Sequence, residues 1–228
     1  MATQLDLQEQ EQLDALKSFW KQYGNLITWV LILVLGAYAA WNGWNWYQRD
    51  QAFKAGSMYD ALEQAAQAND ADKAARIFED LKTRFPATAQ AGQGGLVAAR
   101  LHVDKAQADK AQTVLTWVAE HAKDPGYRQV ARMRLAALAA EAKQFDQALK
   151  HLDAAQGGDF EALVADRRGD VLSAAGKPDE ALKAYQAAWA GMDDKNEYRR
   201  LVEAKLTALG AAPAPAAAAS AAASGAAR

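Results

Sequence analysis

The sequence predicts an all-α chain: one membrane-spanning helix near the N-terminus, then a solenoid of paired helices. Three observations lead there. Alanine accounts for 56 of 228 residues and proline for only five, so long stretches favour helix and little interrupts them. Residues 22–48 carry no charged side chain. An alanine marker recurs in the remainder at positions 74, 111, 148 and 181, at intervals of 37, 37 and 33 residues.

Composition closes off several kinds of chemistry. The chain has no cysteine, which removes disulfides, thiolate metal sites and cysteine nucleophiles. The formal net charge is −2. Residues 1–48 hold that whole excess, through Asp6, Glu9, Glu11 and Asp14 against Lys17 and Lys21, and the rest of the chain is neutral. No region has the basic excess that nucleic-acid phosphates demand, so no nucleic-acid partner is expected.

The uncharged stretch is read as the anchor. It runs from Gln22 to Gln48, between Lys21 and Arg49, with its most apolar part at residues 27–37. About 20 helical residues cross a hydrocarbon core of roughly 30 Å. Trp20 and Tyr23 stand at one end, and Trp41, Trp44, Trp46 and Tyr47 at the other, as in the aromatic belts of a bilayer interface. A lipid bilayer is therefore an expected partner. A buried core helix would also be apolar, but not flanked this way by charges and rings. Ala37-Tyr38-Ala39 matches a signal-peptidase pattern. The leading segment is long and acidic, and the apolar run continues past the site, so an uncleaved anchor is expected. Charge leaves the orientation open, with Lys17 and Lys21 before the span and Arg49 and Lys54 after it.

Ahead of the span, Thr3 and Asp6 have capping-box spacing, and Leu13, Leu16, Trp20 and Tyr23 share one helical face. Two readings follow: a separate amphipathic helix kinked at Gly24, or continuation of the membrane helix.

The repeats are clearest from Ala165 to Trp189. Gly169, Gly176, Ala181, Tyr185 and Ala188 follow one another at spacings of seven, five, four and three. This is the tetratricopeptide pattern. Gly169 would allow close helix approach, and Gly176 before Lys177-Pro178 would end the first helix and start the second. Ala181 and Ala188 would sit in the tight contact, with Tyr185 filling the gap to the next helix. Weaker copies place Ala74 with Phe78 and Leu81, Ala111 with Leu115 and Val118, and Ala148 with Leu152 and Ala155. Residues 50–190 thus read as four degenerate helix pairs, and 198–206 as a capping helix. The expected organisation is a tail at 1–23, a span at 24–47, a repeat domain at 48–209 and a disordered Ala/Pro-rich tail at 210–228.

No site for catalysis emerges. His102, His121 and His151 form no metal-binding spacing. Gly92-Gln93-Gly94-Gly95 lacks the lysine and serine of a phosphate loop, and fits close packing at a helix start. Asp70 with Asp72, and Asp193-Asp194, fit N-caps in inter-helix loops. Arg167-Arg168 and Arg199-Arg200 fit either solvated faces or contacts with an acidic partner. No enzyme activity, cofactor or metal is expected, and repeats on an anchor imply a tethered protein-interaction module.

Two further segments carry a resemblance. One is Gln12-Leu13-Asp14-Ala15-Leu16-Lys17-Ser18-Phe19-Trp20, ahead of the span. The other runs from Gly158 to Asp170 and contains Phe160, Asp166, Gly169 and Asp170, followed by Gly176 and Ala181. Together they make residues 9–209 similar to the ancillary Sec translocon subunit family, the YfgM-like proteins of Gram-negative bacteria. That resemblance implies a single-pass inner-membrane protein with a cytoplasmic N-terminus and a periplasmic repeat domain. It implies association with the SecY–SecE–SecG channel and with a PpiD-like periplasmic chaperone. The implied role is handing translocating polypeptides to that chaperone network. Two other readings use the same parts: a generic cell-envelope tetratricopeptide scaffold, or a soluble periplasmic binder released by cleavage.

Overall fold

A computed structural model describes the backbone of residues 7–211 and the side chains of residues 11–211. The expected Thr3–Asp6 capping box lies outside the described residues, as does the Ala/Pro-rich tail from residue 212 on. Among the described residues there are nine helices and no strand. They are α1 (Leu7–Gln67), α2 (Ala71–Arg84), α3 (Ala89–Asp104), α4 (Ala108–His121) and α5 (Pro125–Glu141), then α6 (Phe145–Ala154), α7 (Glu161–Ala174), α8 (Pro178–Gly191) and α9 (Arg199–Ala208). The chain divides into two compact units, Met1–Gln51 and Ala52–Arg228.

In the first unit, α1 passes Gly24 without a break, so among the described residues the segment ahead of Gly24 continues the same helix. The Trp20 indole lies over Gly24, 3.1 Å from where a Cβ would stand. Thr28 Oγ1 donates to the Gly24 carbonyl at 2.7 Å, and both contacts stay within the helix.

In the second unit the helices alternate as first and second members of a pair. The end of α1 precedes α2; α3 precedes α4; α5 precedes α6; α7 precedes α8; α9 stands last. Helix α5 starts at Pro125, where Asp124 accepts from Gly126 N and the proline occupies the first turn. Asp70 caps α2 through Lys73 N, but Asp72 lies in the first helical turn rather than in a loop.

All four second helices bury the same set of positions. The triplets are Ala74, Phe78, Leu81; Ala111, Leu115, Val118; Ala148, Leu152, Ala155; and Ala181, Tyr185, Ala188. Each has spacing i, i+4, i+7, one stripe of a helix, and no member is more than 4% exposed. Small residues at the first position bring the pair together, and the bulky middle residue fills the space opened.

The turn inside each pair repeats too. Asn69, Ala106, Lys143 and Gly176 all have positive φ, between 55° and 75°. Each stands five residues before its marker alanine. Each is followed by a residue whose N–H reaches back five positions: Asp70 to Ala65, Gln107 to His102, Gln144 to Ala139 and Lys177 to Leu172, at 2.8–2.9 Å. This is the Schellman closure of a helix C-terminus.

The core follows the stack as three successive clusters. The first joins the end of α1 to α2–α5, around Leu62, Phe78 and Leu115. The second joins α5–α7 around Met133, Leu152 and Val164. The third joins α7–α9 around Leu172, Tyr185 and Val202. Each repeat therefore packs mainly on its neighbours, as a solenoid requires.

Candidate functional site

The repeat markers are buried in this structure except Gly176, which is exposed, has nothing within 4 Å of its Cβ position and serves as the left-handed turn residue. Gly169 on α7 faces Tyr185 on α8, and a Cβ there would stand 2.5 Å from the ring's Cδ1. Tyr185 thus fills space against the first helix of its own pair, and its other side meets the next helix, where Lys205 Nζ of α9 lies 5.3 Å from the ring centre. The glycine-rich run at 92–95 is also packing. A Cβ on Gly94 would be 3.1 Å from Leu81 Cδ1, and one on Gly95 would be 2.8 Å from Phe78 Cε2.

A buried polar cluster, which repeat spacing alone does not reveal, joins α7, α8 and α9. Asp166 has no exposed surface. It accepts from Tyr198 Oη at 2.7 Å and from Lys205 Nζ at 2.8 Å. One turn on, Asp170 accepts from Tyr185 Oη at 2.9 Å and lies 2.7 Å from the same Lys205 Nζ. Burial, and the hydrogen bond to Asp170, push the Tyr185 hydroxyl up. Burial, and the bond to Asp166, push Tyr198 up to about 12. The cluster fastens the last helix to the last pair. Its signal in sequence was the i, i+4 pair of aspartates around Gly169.

The arginine pairs are used internally to a large extent. Arg168 meets Asp153 at 2.5 Å and Arg167 meets Asp170 at 3.2 Å. Arg199 pairs with Asp194 and lies 3.9 Å from the centre of the Trp189 ring. His102 is buried and its Nδ1 contacts Gln107 Oε1 at 2.8 Å, while His121 stacks on Trp117. Burial, then Arg132, lowers the His151 pKa. No group of three or more potential metal ligands exists among the described residues.

One open groove, of about 360 Å³, lies between α3 and α5, floored by Leu115 of α4. Ala99, Val103, Ala137 and Leu138 give it apolar walls, and Arg100, Arg134 and Glu141 supply its charges. Arg134 Nη1 donates to the Leu96 carbonyl at 2.7 Å. Burial lowers the Arg134 pKa, and the positive charge of Arg100 lowers it further. An apolar trough with a few oriented charges can hold a polypeptide side chain.

In the first unit, the rings of Trp20, Tyr23, Trp41, Trp44, Trp46 and Tyr47 are all exposed, as are the aliphatic residues between them apart from half-buried Ile27. Among the described residues, α1 is the one helix long and apolar enough to cross a membrane, with a mean hydropathy of 1.7 over its most apolar stretch. Only 6% of that stretch is buried within the protein.

Comparison with known proteins agrees with this geometry. The family model for a tetratricopeptide repeat-like domain matches residues 17–211. The ancillary SecYEG translocon subunit of Neisseria gonorrhoeae is 31% identical over 207 residues, covering 89% of this chain and 98% of the relative. The chain belongs to the ancillary SecYEG translocon subunit family. The Escherichia coli member is 31% identical over 182 residues, 78% of this chain and 86% of its own length. The Haemophilus influenzae member is 27% identical, over 80% of this chain and 89% of its own. A crystal structure of kinesin light chain TPR-like repeats from Podosopora anserina superposes with a TM-score of 0.53 at 13% identity, over 68% of this chain and 84% of that one. At that identity the likeness concerns the fold alone. Family and fold together describe a helical-repeat protein-interaction module.

Proposed function

We propose that this chain is an inner-membrane subunit attached to the SecY–SecE–SecG channel, which receives translocating polypeptides and passes them to a PpiD-like periplasmic chaperone. The observation that carries this reading is the extent of the match. The similarity covers 98% of a relative named as an ancillary SecYEG translocon subunit. The apolar helix supports attachment to the membrane, and the groove between α3 and α5 supports polypeptide binding.

In this reading the N-terminus is cytoplasmic and the repeat domain periplasmic. The packing residues (Ala74, Phe78, Ala111, Leu115, Ala148, Leu152, Gly169, Ala181, Tyr185 and Ala188), with the turn at Gly176, hold the binding surface in shape. The rings of Trp20, Tyr23, Trp41, Trp44, Trp46 and Tyr47 fix the depth of the span. Nothing in the proposal calls for a catalytic step: the module works by binding and placement.

The test is affinity purification of the full chain from membranes in mild detergent. Channel subunits and a PpiD-like chaperone are expected in the eluate. Recovery of envelope-assembly proteins without the channel would favour the generic scaffold. A reporter fused after Arg228 should be active only in its periplasm-sensing form, and a cytoplasmic signal would overturn the orientation. A mature N-terminus beginning after Ala39 would replace the anchor with a released binder.

A further inference from the structure

The groove between α3 and α5 has a direction. Arg134 bonds to the Leu96 carbonyl, so the level of Leu96 to Arg100 on α3 faces the Arg134 level on α5. The two arginines stand together at this end, near enough for Arg100 to disfavour the charged form of Arg134. Val103, Ala137 and Leu138 come next along the groove, and Glu141 closes the far end. Arg134 and Glu141 are seven helical residues apart, which is about 10 Å along the axis. Three residues of extended chain cover about the same length.

Neither arginine has a close carboxylate partner within the protein, and both are open to solvent and to a ligand. Arg134 is exposed on α5, its one polar contact is to a neutral carbonyl, and no carboxylate among the described residues pairs with it. Arg100 has only Asp104, at 3.8 Å and largely in water, where such a contact contributes little. Two guanidinium groups beside an apolar trough favour a carboxylate that brings an aliphatic neighbour with it. The opposite charge at the far end favours a cation there.

We infer that the groove binds an extended internal polypeptide segment with an acidic side chain at the arginine end, an aliphatic side chain in the trough, and a basic side chain three residues from the acid at Glu141. The inference rests on the reading of this chain as a binder of translocating polypeptide, and it names the segment chosen. Weak charge contacts around a small apolar contact suit a transient hold, because the preference is ionic and softened by salt.

The test is fluorescence polarisation of the full chain in detergent with labelled, N-acetylated and C-amidated peptides of the pattern Glu-Leu-Ser-Lys within a Gly/Ser frame. Replacing the peptide's Glu by Gln, or its Lys by Gln, is expected to weaken binding at least fivefold. Arg100→Glu should weaken the original peptide similarly and improve binding of a peptide with Lys in place of the Glu. Arg100 is exposed, and an unchanged melting curve would exclude misfolding of that variant. Equal binding of all peptides would overturn the charge pattern and leave polypeptide binding standing. Preference for an uncharged-side-chain peptide with a free C-terminal carboxylate would overturn the internal-segment assignment. Binding of no peptide would overturn both inference and polypeptide binding, while channel recovery would still report separately on attachment.

Discussion

Gly169 is fixed by its neighbour, because the Tyr185 ring occupies the place of a Cβ. The ring is itself held by its hydroxyl on Asp170, so it cannot swing aside without breaking that bond. Gly169→Val should therefore destabilise the repeat domain by roughly 1–3 kcal/mol or more, and Gly169→Ala by less. Urea titration of the two variants checks this, and unchanged midpoints would mean that the two helices do not meet there. The tyrosine hydroxyls make a second prediction, about pH. Tyr198 holds its proton up to about 12 in the folded chain, against an ordinary value near 10 when unfolded. A raised pKa means that the folded form binds this proton more tightly. The associated stability is fully present below about pH 10 and is lost as pH rises through about 12. Tyr198→Phe should make the alkaline fall in stability shallower between pH 9.5 and 11.5, in denaturation midpoints taken across that range. A fall as steep as in the parent would show that Tyr198 does not contribute to it.

The recurring element is a helix pair closed by a left-handed residue. Gly176 suits that conformation because it has no Cβ, whereas Ala106 adopts it at φ 56° and Lys143 at φ 60°. A non-glycine residue there costs roughly 1–2 kcal/mol, partly offset by the greater freedom glycine has in the unfolded chain. Ala106→Gly and Lys143→Gly should each stabilise the domain by about 0.5–1 kcal/mol, a rise of a few degrees in Tm. A fall in Tm for both would show that those turns are not left-handed. These turns also explain how far the fold was readable from sequence. The second helices were legible because all four write the same stripe, Ala74/Phe78/Leu81 onward, in small and bulky residues. One turn of four was legible, at Gly176; the others use Asn69, Ala106 and Lys143, of which the alanine and the lysine carry no turn signature. Their geometry comes from the backbone bonds to Ala65, His102 and Ala139. The clamp on α9 was hidden because Asp166 and its partners lie 32 and 39 residues apart in sequence. The groove was hidden for the same reason, since Arg100 and Arg134 meet only once α3 packs beside α5.

At the scale of the whole chain, two compact units do different work. The unit from Ala52 onward contains its own core, because the last turns of α1 supply Ala55, Leu62 and Ala65, all within 1% of complete burial. The unit before it keeps its apolar side chains on its outside, where only a bilayer or another apolar surface would cover them. In the proposed reading the anchor contributes by concentration. A tethered module meets its partner at an effective level in the millimolar range, so contacts too weak to hold a free protein suffice. The repeat part has equal numbers of opposite charges, so long-range steering adds little to that local concentration. Cutting the chain before Arg49 keeps every buried residue of the repeat core and removes the anchor. The expected product is folded and soluble, with the helical signal and cooperative melting of the parent's repeat domain, and it should recover far less channel from detergent-solubilised membranes than the full chain does. Adding the truncated protein at millimolar concentration should restore part of the association. Equal recovery by both forms at micromolar concentration would show that the repeats bind the channel tightly unaided, and would assign the anchor a role other than tethering.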